Sequence, residues 1–150
     1  MLFLISLLSS FMASQPASPV SWSFSSTAQP NGTINIELTA NVESGWHIYS
    51  TSLAGNEGPI PTTFSFKPSN QYMAIGNLQE PKAVEQYDPN FAMMVRHHSG
   101  KPTFILNVKP AVAGTFVVEG ELEYMVCNSS TCLPPLAVPF KITVNQGGAK

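Results

Sequence analysis

Residues 33–42 alternate apolar and polar side chains more strictly than the rest of this chain. The apolar positions are Ile34, Ile36, Leu38, Ala40 and Val42. Because successive side chains of a β-strand point to opposite faces, this pattern predicts a strand with one buried and one solvated face. Residues 136–144 alternate in the same way near the other end of the chain. The chain is therefore predicted to build a sheet that has one face in water.

Turn residues divide the rest of the chain into further short strands. Thirteen prolines and ten glycines are spread over 150 residues, of which 43% are hydrophobic and 11% charged. Together with β-branched and aromatic residues, this composition is typical of short strands joined by turns. We predict strands at residues 19–26, 33–42, 46–50, 62–66, 72–75, 102–108, 115–127 and 136–144. Residues 76–87 predict a polar connection, and a turn at residues 87–90 precedes an apolar segment that runs into the two adjacent histidines.

The number and spacing of these strands predict the fold class. About eight to nine alternating strands in a chain of this length indicate an all-β, immunoglobulin-like antiparallel β-sandwich. Both cysteines then lie in the connection between the last two strands. This connection is at one end of the sandwich, where loops cluster and sites are commonly built.

One folded domain is expected, at residues 19–146. Residues 1–18 begin with an apolar run too short to span a bilayer and predict a signal peptide, with cleavage between Ala13 and Ser18; a buried N-terminal segment is the alternative. Residues 147–150 are predicted to be a polar tail. Export would place the domain where a disulfide persists. A net charge of -2 gives no reason to expect nucleic acid as a partner.

The only two cysteines, Cys127 and Cys132, have four residues between them. A disulfide that closes so small a loop stabilises a protein by about 2 kcal/mol in the chain-entropy model, which makes it a weak structural crosslink. Neighbouring loop thiols suit reversible exchange, because the second thiol can resolve a mixed disulfide. A structural disulfide in a secreted β-domain remains the alternative. Pro134 and Pro135 restrict the backbone beyond Cys132, so we expect a stiff loop.

Metal chemistry is not predicted, although His47, His97 and His98 are suitable ligand types. A blue-copper site places a His and a Met shortly after its Cys, and neither residue type follows these cysteines. His97 and His98 are adjacent, so on a strand they point to opposite faces and cannot bind one metal ion together. No nucleophilic elbow or glycine-rich phosphate loop is present in the sequence.

Several motifs, in this order, resemble the N-terminal periplasmic domain of the thiol:disulfide interchange protein DsbD. The similarity runs from about Val20 to Val144. Its motifs are VSWSF at 20–24, GWHIY at 45–49, GPIPT at 58–62, YDPNF at 87–91 and Y-x-x-C at 124–127 followed by CLPP at 132–135 and PF at 139–140. The cysteine loop is one residue shorter than in the best-known members. The resemblance implies an immunoglobulin-like redox domain.

Roles for individual residues follow from the resemblance. It implies that Cys132 is the sulfur attacked by a partner and that Cys127 resolves the mixed disulfide. It also implies a cap loop over the pair, made of Asp88, Pro89, Asn90, Phe91, Ala92 and Met93. In this loop Phe91 would be the shield and Asp88 an acidic neighbour of Cys132. Tyr49, together with His47, Pro134 and Pro135, would support the site.

The resemblance also implies partners. It predicts a protein-disulfide reductase type of electron carrier, with no cofactor beyond the cysteine pair. The donor would be a thioredoxin-like domain or a DsbD-type membrane reductase, and the acceptor a periplasmic disulfide isomerase or a cytochrome-maturation thioredoxin. We expect a stand-alone bacterial periplasmic domain that does not insert into the membrane after processing. The alternative is a non-enzymatic periplasmic binding or adaptor domain whose disulfide is structural.

Overall fold

The computed structural model describes residues 18–53, 55 and 57–146. These residues form eleven β-strands joined by turns and loops. In chain order the strands are β1 Val20–Ala28, β2 Ile34–Val42, β3 His47–Tyr49, β4 Thr63–Phe66, β5 Tyr72–Ala74, β6 Val84–Asp88, β7 Met93–His98, β8 Thr103–Pro110, β9 Phe116–Tyr124, β10 Val126–Cys127 and β11 Leu136–Val144. The two most strictly alternating stretches are β2 and β11, as predicted. The all-β class is confirmed.

Every strand pair is antiparallel, and the strands form three hydrogen-bonded sheets. The first sheet has the order β1-β2-β8-β5, and the second has the order β11-β9-β4. The third, which we call the site sheet, has the order β10-β3-β7-β6. The architecture is an immunoglobulin-like β-sandwich with more strands than the eight to nine predicted.

Aromatic side chains fill the space between the first two sheets. The ring centroid of Trp22 on β1 lies 5.9 Å from that of Phe64 on β4 and 5.7 Å from that of Tyr124 on β9. Phe24, also on β1, lies 5.5 Å from Phe140 on β11. Ring separations of this size are those of favourable aromatic pairs. The main core is therefore the interface between these two sheets, and alternation along their strands directs the apolar residues into it.

The long strand predicted at residues 115–127 is wrong in one respect, because it is interrupted at Met125. The chain pairs with β11 and β4 up to Tyr124, and then Val126 and Cys127 pair with β3 of the site sheet. Tyr124, Met125, Val126 and Cys127 are all buried, which breaks the alternation at this crossing. A residue that moves from one sheet to another is packed on both sides, and the sequence contains no turn residue to mark that point.

Strand β6 lies where the sequence predicted a polar connection without a regular element. Its residues Val84 to Tyr87 are all exposed, so no alternation of buried and solvated positions marks the strand. It exists because all five of its residues pair with β7. Pairing of this kind is a property of the hairpin and not of the local sequence.

The predictions for the chain ends fall mostly outside the described residues. The signal peptide at residues 1–18 is described only at Ser18, and the polar tail at residues 147–150 is not described. In the part of the chain that the structure describes, no helix has the length and apolar character needed to cross a membrane.

Candidate functional site

One face of the site sheet carries several of the residues that the sequence predicted for the site. Cys127 pairs with His47 between β10 and β3, Tyr49 pairs with His97 between β3 and β7, and Asp88 pairs with Met93 between β6 and β7. Directly paired residues share a face, and so do residues two apart on one strand. The face therefore carries His47, Tyr49, Asp88, Met93, Val95, His97 and Cys127. The opposite face presents Ile48 and Val126 to the main core.

Cys127 and Cys132 are joined by a disulfide, with their Cα atoms 4.0 Å apart. We call residues 127–132 the cysteine loop. Two backbone hydrogen bonds close it independently of the sulfurs: Asn128 donates to the Thr131 carbonyl at 2.9 Å, and Leu133 donates to the Val126 carbonyl at 3.0 Å. Cys127 is fully buried, whereas Cys132 is partly exposed. The two cysteines therefore differ in their exposure to solvent.

A second, smaller core lies around the disulfide. It consists of Tyr49, Val95, Met125 and Cys127, and the partly buried side chains packed against it are Leu53, Phe91, Met93 and Cys132. Val95, Met125 and Leu53 are not among the site residues predicted from the sequence. Alternation with His97 would have placed Val95 there if β7 had been recognised as a strand. No local signal in the sequence identifies Leu53 or Met125.

The predicted cap loop, residues 88–93, is the four-residue turn of the β6–β7 hairpin with its two flanking strand residues. The amide of Phe91 donates to the Asp88 carbonyl at 3.3 Å, which closes a β-turn with Pro89 at its second position. Ala92 has a φ of 51°, in the left-handed region that favours glycine. The ring of Phe91 packs edge-on against Tyr49 at 6.1 Å. The loop thus places Phe91 in the smaller core that contains the disulfide.

Asp88 anchors this loop to β3. The hydroxyl of Tyr49 donates to Asp88 Oδ2 at 2.5 Å, and the amide of Asn90 donates to Asp88 Oδ1 at 2.8 Å. His47 Nε2 lies 3.1 Å from the Tyr49 oxygen and 3.5 Å from Asp88 Oδ2. Asp88 is 2% exposed, so its carboxylate depends on these partners for solvation. The sequence predicted Asp88 as a neighbour of Cys132; among the described contacts it bonds to Tyr49, Asn90 and His47.

The protonation states follow from this arrangement. Burial opposes ionisation of Asp88, but the hydrogen bonds from Tyr49 and Asn90 and the nearby His47 outweigh it and hold the pKa of Asp88 below its usual value. Burial, with the Asp88 carboxylate beside it, raises the pKa of Tyr49. Burial lowers the pKa of His47 despite the attraction of Asp88. At neutral pH the site therefore holds a carboxylate, a neutral phenol and a neutral imidazole.

The two adjacent histidines point to opposite faces, as predicted. The His97 ring stacks on that of His47 at 4.5 Å, and its Nε2 donates to Gln86 at 2.8 Å. His98 lies on the other face, where its Nε2 bonds to Glu80 at 2.6 Å. Among the described residues, no group of three or more His, Cys, Asp or Glu side chains is placed to hold a metal ion.

The prolines predicted to support the site lie outside the smaller core. Pro134 and Pro135 are exposed and follow Leu133, which packs against the main core. They connect the cysteine loop to β11, which begins at Leu136. Their position is compatible with a stiff connection, and no described side-chain contact joins them to the disulfide.

A family model with the description "Thiol:disulfide interchange protein DsbD, N-terminal" matches residues 12–143. The match spans most of the 150 residues, including the cysteine pair and all of the sandwich except the last residue of β11. The chain belongs to the DsbD N-terminal domain family. The resemblance seen in the sequence is thereby confirmed. The family is one of thiol:disulfide interchange proteins, and the chain carries a disulfide-bonded cysteine pair. No curated protein sequence matches the chain.

Solved structures of similar fold include other DsbD N-terminal domains. The reduced form of this domain from Neisseria meningitidis has 17% identity and a TM-score of 0.51, covering 81% of this chain and 85% of that chain. The N-terminal periplasmic domain of ScsB from Proteus mirabilis has 13% identity and a TM-score of 0.59, covering 88% of this chain and 49% of that one.

A third similar structure comes from a complex between the DsbD N-terminal and PilB N-terminal domains of Neisseria meningitidis. It has 14% identity and a TM-score of 0.54, covering 87% of each chain. At these identities the three structures support the fold alone.

Proposed function

We propose that this domain passes reducing equivalents between proteins through the Cys127–Cys132 disulfide. The observation that carries the proposal is the unequal exposure of the two cysteines. Cys132 is partly exposed on the cysteine loop, whereas Cys127 is 0% exposed beneath it. A thiolate from a partner therefore has access to Cys132 first. Cys132 is the contact sulfur and Cys127 the resolving sulfur.

The exchange conserves atoms and electrons. A partner thiolate forms a bond to Cys132 Sγ, the Cys127–Cys132 bond breaks, and Cys127 leaves as a thiolate that takes a proton. A second partner thiol then attacks the mixed disulfide, so the partner is oxidised and the domain holds two thiols. In the reverse role, Cys132 attacks an acceptor disulfide and Cys127 resolves it. The two steps together transfer two electrons and two protons.

The cap loop protects the pair between encounters with partners. Phe91 packs against the same small core as Cys132, and the Tyr49–Asp88 hydrogen bond fixes the base of the loop. An apolar cover limits the access of water and stray oxidants and can be displaced by a docking protein surface. The neutral His47 opposite Cys127 provides no cation to stabilise a thiolate. For the step that reduces the domain, we therefore assign the supply of the attacking thiolate to the partner.

We place this exchange in the bacterial periplasm, after removal of a signal peptide. The donor is a thioredoxin-like domain or a DsbD-type membrane reductase, and the acceptor is a periplasmic disulfide isomerase or thioredoxin-like protein, including those of cytochrome maturation. Two findings support this placement: the similar ScsB domain is described as periplasmic, and a similar DsbD domain forms a complex with the PilB N-terminal domain.

The test compares the two sulfurs directly. In Cys127→Ala, Cys132 is converted to a mixed disulfide with 5-thio-2-nitrobenzoate and mixed with a thioredoxin that retains only its attacking cysteine. We expect a stable protein–protein disulfide within minutes. The matched variant Cys132→Ala, activated at Cys127, should react at least tenfold more slowly. Equal rates would contradict the assignment of the contact sulfur.

The reduction potential separates this function from an adaptor with a structural disulfide. A pair that exchanges with thioredoxin-like proteins is expected within the range of those proteins, roughly −270 to −120 mV. A structural disulfide typically lies below about −300 mV. Equilibration with glutathione or dithiothreitol buffers gives this value. A potential below that limit would favour the adaptor.

A further inference from the structure

We propose that Asn90 is the latch of the cap loop: its side chain makes the hydrogen bond that must break before the loop can move away from the disulfide. This inference rests on the proposed function, in which the cap loop protects the cysteine pair. It assigns a positioning role to a side chain that does not itself cover the sulfurs.

The bond joins two loops that are distant in sequence. Asn90 Nδ2 donates to the backbone carbonyl of Asn128 at 2.8 Å, across 38 positions of the chain. Asn90 lies at the tip of the β6–β7 hairpin, and Asn128 is the residue after the buried cysteine. Among the described residues, no other hydrogen bond links residues 88–93 to the cysteine loop. The side-chain amide of Asn90 therefore makes the hydrogen bond that joins the cap loop to the cysteine loop.

The acceptor carbonyl is held in place by the cysteine loop itself. The side chain of Asn128 accepts hydrogen bonds from the amides of Ser130 and Thr131, at 2.9 Å and 2.8 Å. Its own amide donates to the Thr131 carbonyl at 2.9 Å. These bonds restrain the turn at residues 128–131 that carries the Asn128 carbonyl. A fixed acceptor resists movement of its donor, so the tie restrains the loop tip.

Asp88 positions Asn90, the residue that donates this hydrogen bond. The Asp88 carboxylate accepts from the Asn90 amide and from Tyr49, which fixes the turn while leaving the Asn90 side chain free to reach Asn128. Asp88 and Met93 are paired strand residues, so the part able to move is residues 89–92. Within this segment, Ala92 has a φ of 51°, in the left-handed region. This backbone conformation costs energy, which the contacts of the closed turn must offset. Asp88 is thus the hinge anchor and Asn90 the latch.

The test measures the access of a small reductant to the disulfide in the folded protein. Asn90→Ala should raise the rate of reduction by dithiothreitol about threefold to tenfold, the factor expected when one hydrogen bond of ordinary net strength is lost. Asn90→Asp keeps the shape of the side chain but replaces the donor by an acceptor, and should raise the rate at least as much. The matched control Asn70→Ala changes an exposed asparagine in another turn and should leave the rate unchanged.

A double-mutant cycle with Phe91 shows whether Asn90 acts through the cap. Phe91→Ala removes the cover and should itself raise the reduction rate. If Asn90 acts by holding Phe91 in place, Asn90→Ala should add less than about twofold in the Phe91→Ala background. An effect of the same size in both backgrounds, or no effect in either, would overturn the latch. Circular dichroism and thermal unfolding confirm that each variant is folded.

The two proposals fail in different experiments. The latch is measured with dithiothreitol alone and needs no protein partner. If the thioredoxin adduct forms at Cys132 but the Asn90 variants are reduced at the normal rate, the exchange function stands and the latch is wrong. If the adduct does not form but access still depends on Asn90 through Phe91, the latch stands and the exchange function is wrong.

Discussion

At the scale of single residues, Asp88 places a buried negative charge in the site. Its carboxylate is almost fully buried, and Tyr49 and Asn90 donate its hydrogen bonds. These bonds favour the ionised form, so the pKa of Asp88 is lowered despite its burial. Because the pKa of Asp88 is lower in the folded protein than its unfolded value of 3.8, the carboxylate stabilises the protein when the pH is above 3.8. This stabilisation is lost as the pH falls through the pKa of Asp88 in the folded protein.

Tyr49→Phe should destabilise the domain by about 1–3 kcal/mol at pH 7, because it removes a hydrogen bond to a buried charge while keeping the ring that packs on Phe91. The loss should shrink below the pKa of Asp88, where the carboxyl is protonated. Urea unfolding at pH 7 and at the lowest pH at which the protein stays folded measures both values. A matched control is Tyr124→Phe, whose hydroxyl bonds to Ser18 at 3.1 Å; it should cost no more than about 1.5 kcal/mol at either pH. A loss for Tyr49→Phe that does not depend on pH would contradict this assignment.

At the scale of strands, β9 depends on a glycine in its interior. Gly120 pairs with Phe140 on one side and Phe66 on the other, and the two phenyl rings meet at 5.5 Å. A Cβ atom at this position would collide with the Ser65 carbonyl oxygen and with the Phe140 ring. Glycine usually weakens a strand. Here it makes room for the Phe140 ring from β11 and for the Ser65 carbonyl of β4.

Gly120→Ala should therefore destabilise the domain by about 1–3 kcal/mol, since the added methyl group displaces backbone as well as a ring. Thermal unfolding with matching denaturant melts gives the change. Glu121→Ala, an exposed neighbour on the same strand, is the control and should stay within about 0.5 kcal/mol of the parent. A stable Gly120→Ala protein would show that β4 and β11 shift at little cost.

At the scale of the whole molecule, the smaller core couples folding to pH through two histidines. Burial lowers the pKa of His47 and of His97 in the folded protein, with Asp88 opposing the shift in each case. As the pH falls, these histidines therefore take up protons first in the unfolded chain, where their pKa is about 6.5. Since stability rises with pH wherever the unfolded state binds more protons, both groups favour folding above that value.

We expect the free energy of unfolding to be highest above pH 6.5 and to decrease as the pH falls from 7.5 to 5, before Asp88 is protonated. Urea melts across this range test the slope. His97→Gln should make the slope shallower, because one of the two groups is removed. Stability that stays constant or rises towards pH 5 would contradict the assignment of neutral imidazoles in the folded state.

Local sequence was enough to predict most of the scaffold. The alternation in residues 33–42 and 136–144 identified β2 and β11, because period-two patterns report directly which face of a strand is buried. It failed at Met125 and at β6. At Met125 the chain changes sheets, and at β6 the residues are exposed and the strand is held by pairing with β7. Neither feature is encoded within a few residues.

The sequence alone predicts an all-β sandwich with one pair of cysteines on a loop at its end. Resemblance to a family then predicted a cap loop at residues 88–93, including Asn90, which was expected only as one of its members. The three-dimensional structure was needed to show which cysteine is buried. It was also needed to show that Asn90 reaches the Asn128 carbonyl and that Tyr49 reaches the Asp88 carboxylate. Those contacts join positions 38 and 39 residues apart. Contacts of this kind depend on the register in which β10, β3, β7 and β6 pair, and register is set by the packing of the whole sandwich.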